Sequence, residues 1–413
     1  MHSTREWRHV IVATTIALAV TGGRGAANEP PATTARADGP SLEGPAPTGP
    51  HAVGRRLLTW VDSARPDPTD ATRRRELVVW VWYPSAAPAT AAREEALPGE
   101  WGTRRIAMLE KKFGAEVAAA MRTFRVHATM DASVRREPAR FPVLLFTPGL
   151  GWLASDYSVL LEDLASHGYV VVGLSPAGFA DVVRFSDGRE VNRSLGIGAS
   201  VGVDQTHVHE DALFALRYLS RLEGDEDSFL RGRLDLSRIG TLGHSLGGTT
   251  AHVAAVHDPR VRVAINIDGD PMGSVLDARP TQPLLLVSSE SPSIEEAPPH
   301  PSAEHRERVR QGLERSEQRR TNDWVRMSEA SSAPHRIRIA GARHLNFTDA
   351  AIAADRLLPP SQRWMRVGRI EGVRGLQVTA TLVRSFLAHA LGGTNGSPWQ
   401  PPRDLPETTL ETR

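Results

Sequence analysis

The six residues Gly243-His-Ser-Leu-Gly-Gly248 follow a strand-like run, Ile239 to Leu242, and precede helix-forming sequence from Ala251 to Val256. A G-x-S-x-G pattern in that setting puts its serine on a tight, strained turn, because the flanking glycines permit a backbone approach that a Cβ would block. The five-residue pattern alone arises often by chance. Its position between strand and helix makes it specific, and it requires a sheet around the turn with helices to cover it.

The rest of the chain supplies both. Apolar strand-like runs alternate with helical patterns, which predicts an α/β fold with a mostly parallel central sheet flanked by helices. The runs are Leu77 to Tyr83, stopped by Pro84, then Phe141 to Phe146, Tyr169 to Leu174, Arg238 to Leu242, Val261 to Ile267 and Pro283 to Val287. Arg336 to Ile339 reads as the last strand and Val378 to Leu391 as the closing helix. Two insertions interrupt this order. Between Tyr83 and Phe141, the residues Ile106, Leu109, Phe113, Val117 and Met121 recur at steps of three or four and form one apolar helical face, expected to pack on the core. Between Ser291 and Pro334 the sequence is dominated by Glu, Arg, Ser and Pro, with a helical charge pattern from Ala303 to Arg320, and reads as a solvated excursion.

Composition narrows the chemistry. The 413 residues carry 49 basic and 48 acidic side chains, which argues against a nucleic-acid-coating surface. No cysteine is present, which removes thiolate metal sites, disulfides and cysteine nucleophiles together. At the N-terminus, Arg5 and Arg8 precede an apolar run from Val10 to Val20 and small residues at Gly25, Ala26 and Ala27. That run is shorter than the ~18 to 20 residues of a membrane span and reads as a secretory signal over residues 1–27, implying a secreted or periplasmic protein. Residues 28–50, rich in Pro, Ala, Thr and Gly, read as a disordered linker. The catalytic domain is expected over 51–396, with 397–413 as a tail.

A serine hydroxyl is a poor nucleophile at neutral pH, so Ser245 needs a base to take its proton and an acid to orient that base. Among the downstream histidines, His252 and His257 ride the helix behind the serine, His300 and His305 lie in the charged insertion, and His389 lies within the closing helix. His335 opens a strand at its far end. His344 follows the Arg336 to Ile339 strand, where carboxyl-end loops gather over a parallel sheet, and is the candidate base. Three carboxylates end or follow strands on the same edge: Asp268, Asp270 and Glu290, and the residues alone do not choose among them. The cluster from Asp204 through His207 and His209 to Asp211 has spacing that a zinc ion tolerates, but it reads as the polar start of a helix, and no metal or other cofactor is expected.

Phe141 to Gly151, Leu164-Ala-Ser-His-Gly-Tyr-Val-Val-Val172, Gly243 to Gly248, Ile265-Asn-Ile-Asp268, His344-Leu-Asn-Phe347 and the early Val81-Trp-Tyr-Pro84 together resemble the plasma-type (group VII) platelet-activating factor acetylhydrolases and their bacterial dienelactone-hydrolase-like relatives. The resemblance runs from about Leu77 to Leu391 and implies the α/β-hydrolase fold. It favours Asp268 as the acid, since in that family the acid follows the strand after the nucleophile helix. It also places the oxyanion donors at the backbone N–H groups of Leu246 and Leu150, the latter in the Gly149-Leu-Gly151 turn. The chain departs from the family at Pro148, where a His is usual, and at Leu174-Ser-Pro-Ala-Gly178. The function so implied is a secreted, cofactor-free serine esterase acting on short-acyl esters, extending to acetylated phospholipids. It would work as a monomer with at most transient contact to a lipid surface. A polyester hydrolase or peptidase on the same fold, and a non-catalytic binding module, are the alternatives.

Overall fold

The computed structural model describes residues 42–88, 92–195, 205–270, 275, 277–297, 299, 302–393 and 398–411. The expected leader, residues 1–27, and the first part of the expected linker lie outside them. The remainder of that linker is packed on the body. The Thr48 N–H and hydroxyl both donate to Asp163 Oδ1, and the Gly49 N–H donates to Ser166 Oγ. Packing on the body therefore extends upstream of His51 to at least Leu42, because backbone donors in this Pro-rich stretch find side-chain acceptors on neighbouring helices.

In chain order the strands are β1 (Ala52–Asp67), β2 (Asp70–Ser85), β3 (Glu94–Glu95), β4 (Arg125–Val126), β5 (Thr129–Met130), β6 (Phe141–Thr147), β7 (Val170–Ser175), β8 (Val182–Arg184), β9 (Glu190–Asn192), β10 (Leu234–His244), β11 (Val261–Ile267), β12 (Leu284–Ser289), β13 (Pro334–Ile339) and β14 (Thr408–Glu411). The helices are α1 (Gly99–Phe113), α2 (Ala115–Arg122), α3 (Ser158–Ser166), α4 (Thr206–Gly224), α5 (Leu246–His257), α6 (Ala303–Ser328), α7 (Ala351–Leu357), α8 (Pro360–Arg366) and α9 (Gly372–Leu391). Ten strands form one sheet in the order β14-β13-β12-β11-β10-β6-β7-β2-β1-β5. Its centre, from β13 to β7, is parallel, and β2 and β14 join it antiparallel.

The central strands are buried on both faces, and their side chains alternate between two cores, as a pleated strand requires. Leu144, Phe146 and Ile265 point into the core that holds Leu160 of α3 and Val383 and Phe386 of α9. Val143, Leu145 and Ala264 point into the core that holds Leu216 of α4, Ala254 of α5 and Trp324 of α6. The chain runs from β6 to β7 on one side and then returns to β10 on the other side of β6. This reversal makes β6 and β10 a topological switch point, where loops diverge and leave a crevice at the strands' carboxyl ends.

Three expectations change. The charged insertion is not simply solvated: α6 runs to Ser328 and buries Trp324 and Met327, because one apolar stripe near its end meets the sheet. The expected tail contributes β14 to the sheet edge, and the Trp399 ring packs edge-on against His335 and Phe386. The early strand at Leu77 has an antiparallel partner, β1, whose Arg-interrupted sequence hid it. The apolar face before β6 is divided between α1 and α2 at Gly114, and Ile106, Leu109, Phe113 and Val117 are buried in the core as expected.

One buried network ties the β1–β2 hairpin to α4. Arg75, fully buried, donates to Asp211 (2.5 and 3.0 Å), to Asp67 (3.1 Å) and to the Ala177 carbonyl (3.1 Å). Arg75→Met should lower the unfolding free energy by about 3 kcal/mol, since it leaves Asp67 buried without its counter-charge while Arg65 still serves Asp211. Urea denaturation of the purified variant measures this.

Candidate active site

The sequence places Ser245 between strand and helix, and the backbone bears out the strain this implies. Ser245 has φ 55° and ψ −124°, a conformation that non-glycine residues rarely adopt. The turn closes so tightly that a Cβ on Gly247 would lie 1.9 Å from the Thr147 carbonyl oxygen, and one on Gly243 would lie 2.3 Å from that of Gly247. Only glycine fits at either position. The Ser245 N–H donates to the Ile267 carbonyl at 2.8 Å, anchoring the turn to β11.

Around this turn the fold gathers side chains from three strand ends. The Ser245 hydroxyl lies 3.0 Å from His344 Nε2, and His344 Nδ1 lies 2.8 Å from Asp268 Oδ2. A carboxylate only accepts, so Nδ1 carries the proton and Nε2 is left to accept from the serine. Asp268, only 5% exposed, is filled on its other oxygen by the Ser289 N–H, the Ser289 hydroxyl and Arg320, at 2.8, 2.9 and 2.8 Å. Burial alone would push its carboxyl up. The positive charge of Arg320, the His344 bond and the Ser289 N–H more than offset this and hold it well below the usual carboxylate range. Asp268 also has a positive φ of 53°, so the acid and the serine both sit on strained backbone.

The other carboxylates go elsewhere. Glu290 accepts from the Gly341 N–H at 2.7 Å and pairs with Arg369 at 3.0 Å, which braces the loop preceding His344 without touching its ring. Asp270 is more than half exposed and pairs with Arg320. Of the remaining histidines, His335 packs against Phe386 and Trp399, and His252 is buried with no hydrogen-bond partner among the described residues, its pKa pushed down to about 3 by burial.

Leu150 and Leu246 flank the serine. Their side chains share an apolar cluster with Phe179, Leu195 and Val208, and among the described residues neither backbone N–H has an acceptor. Gly149 lies against the elbow, where a Cβ would come within 3.2 Å of the Ser245 Cβ.

A buried chain that sequence reasoning missed links the two loops. His244 Nε2 lies 3.0 Å from the His344 carbonyl oxygen, and His244 Nδ1 lies 2.8 Å from the Tyr157 hydroxyl, which receives the Gly149 N–H at 3.2 Å. Burial, and after it the nearby His344, hold the His244 pKa well below the usual imidazole value, so the ring is neutral. A carbonyl only accepts, so Nε2 donates to it and Nδ1 takes the tyrosine proton. The His before the serine was visible in the sequence, but its partner 87 positions away was not. Arg320 and Ser289 likewise lacked a sequence signal.

The cluster considered for zinc is occupied otherwise. His207 faces Glu210, His209 faces Gln205, and Asp211 holds two arginines, while Asp204 lies outside the described residues. Among the described residues no helix is long and apolar enough to cross a membrane.

Residues 39–175 match the family model for platelet-activating factor acetylhydrolase, isoform II, and residues 186–319 match one described as PET hydrolase-like. A probable 1-alkyl-2-acetylglycerophosphocholine esterase of Arthroderma benhamiae is 25% identical over 259 residues, 56% of this chain and 60% of that one. The platelet-activating factor acetylhydrolase of Cavia porcellus is 25% identical over 279 residues, 61% of this chain and 58% of that one. The chain thus spans about three fifths of the length of these curated relatives. A ferulic acid esterase from Streptomyces cinnamoneus superposes with a TM-score of 0.68 at 26% identity, covering 90% of this chain and 100% of that structure. The sheet order, the strained elbow and the structural match place the chain in the α/β-hydrolase fold, and in sequence it is similar to the platelet-activating factor acetylhydrolases.

Proposed function

We propose that the protein is a secreted serine carboxylic-ester hydrolase that cleaves short-acyl esters, acetylated phospholipids among them, through an acyl-enzyme on Ser245. The unbroken hydrogen-bonded line from Ser245 through His344 to Asp268 carries this reading. Ser245 Oγ attacks the ester carbonyl carbon while its proton passes to His344 Nε2. Asp268 holds the Nδ1–H and stabilises the imidazolium that forms. The oxyanion meets the N–H groups of Leu150 and Leu246, each worth about 3 kcal/mol in a preorganised site. His344 then returns the proton to the leaving alcohol, and a water molecule deprotonated by the same imidazole releases the acid and restores Ser245. No step needs a cofactor. Leu246, next to the serine, belongs to an apolar patch with Leu150, Phe179, Leu195 and Val208, which suits a small acyl group. Export is supported by the charged, apolar and small-residue order of residues 1–27.

The PET hydrolase-like match over 186–319, which contains both Ser245 and Asp268, favours a second reading in which the same groups cut an aromatic polyester. Treatment with a fluorophosphonate should label Ser245, located by peptide mass mapping, and abolish turnover in proportion. A panel of p-nitrophenyl acetate, butyrate and octanoate, an acetylated glycerophospholipid and a terephthalate diester then ranks the substrates. Absence of both labelling and turnover would sink the reading and leave a binding module.

A further inference from the structure

The charged helix α6 reaches the site with a single side chain. Arg320, only 15% exposed, lays Nη2 2.8 Å from Asp268 Oδ1 and Nε 3.1 Å from Asp270 Oδ1. Oδ1 already accepts two bonds from Ser289 and Oδ2 takes His344, so Arg320 adds a third donor to Oδ1. Burying a guanidinium beside a carboxylate carries a desolvation penalty. The helix does not need it as an anchor, since Trp324 and Met327 enter the core and Glu317 pairs with Arg338.

We propose that Arg320 is a positioning residue of the reaction: paired with Asp268 Oδ1 behind the acid, its permanent charge extends ester hydrolysis to lower pH. This rests on the reading of Ser245, His344 and Asp268 given above. The physical basis is a permanent positive charge on the far side of the carboxylate from His344. It opposes a second positive charge on the ring, both at rest and in the transition state. The charged and titratable groups facing Arg320 and Asp268 are Asp270, Glu317 on α6 itself, Arg336 from β13, and His244 and His344. None of the other cations pairs with Asp268 as Arg320 does.

The test is the pH dependence of kcat/KM for p-nitrophenyl acetate in the wild type and in Arg320→Met, Arg320→Gln and Arg320→Lys. Without the charge, imidazolium is favoured, so the acid limb should rise by about one pH unit in the Met and Gln variants, the low end of the range for a neighbouring charge. KM should change less than twofold, and Arg320→Lys should return the limb close to its wild-type position. Arg320→Gln keeps a donor toward Asp268 without charge, so it separates electrostatics from hydrogen bonding and serves if Arg320→Met does not fold. Nitrogen-15 titration of the His344 ring should move the same way without any need for turnover. An unmoved limb and an unmoved ring titration in a variant with wild-type circular dichroism would overturn the proposal. Absence of ester turnover in the wild type, with the ring titration still shifted by substitution, would instead overturn the reading of the site.

Discussion

Ser245→Ala should lower kcat for p-nitrophenyl acetate by about 10⁴-fold or more, and adding His344→Ala to that variant should cost little further. The reason is that the two side chains act as one unit. His344 Nε2 has no proton to take once the Ser245 hydroxyl is gone, so its removal deletes nothing the first substitution left in place. The residual rate would come from the Leu150 and Leu246 N–H groups and from substrate binding, which neither substitution touches. Single-turnover and steady-state assays on the two single variants and the double variant measure this. Losses that multiply would show that Ser245 and His344 act separately, and the acyl-enzyme route would fall with them.

The second large effect concerns the acid. Asp268→Asn should lower kcat by about 10⁴-fold, while Glu290→Gln should change it by less than about tenfold. Three donors surround Asp268 Oδ1: the Ser289 N–H, the Ser289 hydroxyl and Arg320. They will hold the carboxamide oxygen of an asparagine in that same place, which turns its NH₂ toward His344 Nδ1. The ring must then carry its proton on Nε2, where it faces Ser245 and cannot accept. The variant should fold normally and fail for want of the correct tautomer. Glu290, by contrast, accepts from the Gly341 N–H and meets the exposed Arg369, tasks a glutamine largely keeps. Parallel kcat determinations at fixed pH decide the matter, and a larger loss in Glu290→Gln would reassign the acid.

The two carboxylates show where reading residues in order reaches its limit. Asp268 and Glu290 both follow strands on one edge of the sheet, and strand periodicity cannot say which carboxyl turns toward the His344 ring. The family resemblance favoured Asp268. In the fold the difference is local and physical: the positive φ of Asp268 aims its side chain across the strand ends, whereas Glu290 bends back onto the loop preceding His344. The insertion between β12 and β13 is a second instance. Its composition reads as solvent-facing, and for most of α6 it is, with Glu–Arg pairs one turn apart along the exposed surface. Nothing in that pattern marks Arg320 as different from its neighbours, because its partner lies 52 residues earlier, just past the end of β11.

By itself the sequence determined the features whose physics is local. Glycines at 243 and 247 admit the strained turn, apolar runs make strands buried on both faces, and a histidine after the last parallel strand falls at the carboxyl edge. Each depends on sterics and periodicity within a few residues. The tertiary structure alone decided which distant groups meet: the Tyr157–His244–His344 chain, the capture of Asp268 by Ser289 and Arg320, the β1 partner of β2 and the β14 edge. Apart from the β1–β2 hairpin, these contacts join residues 21 to 100 positions apart. Their existence depends on how ten strands and their crossovers place the chain in space, and no local pattern carries that information.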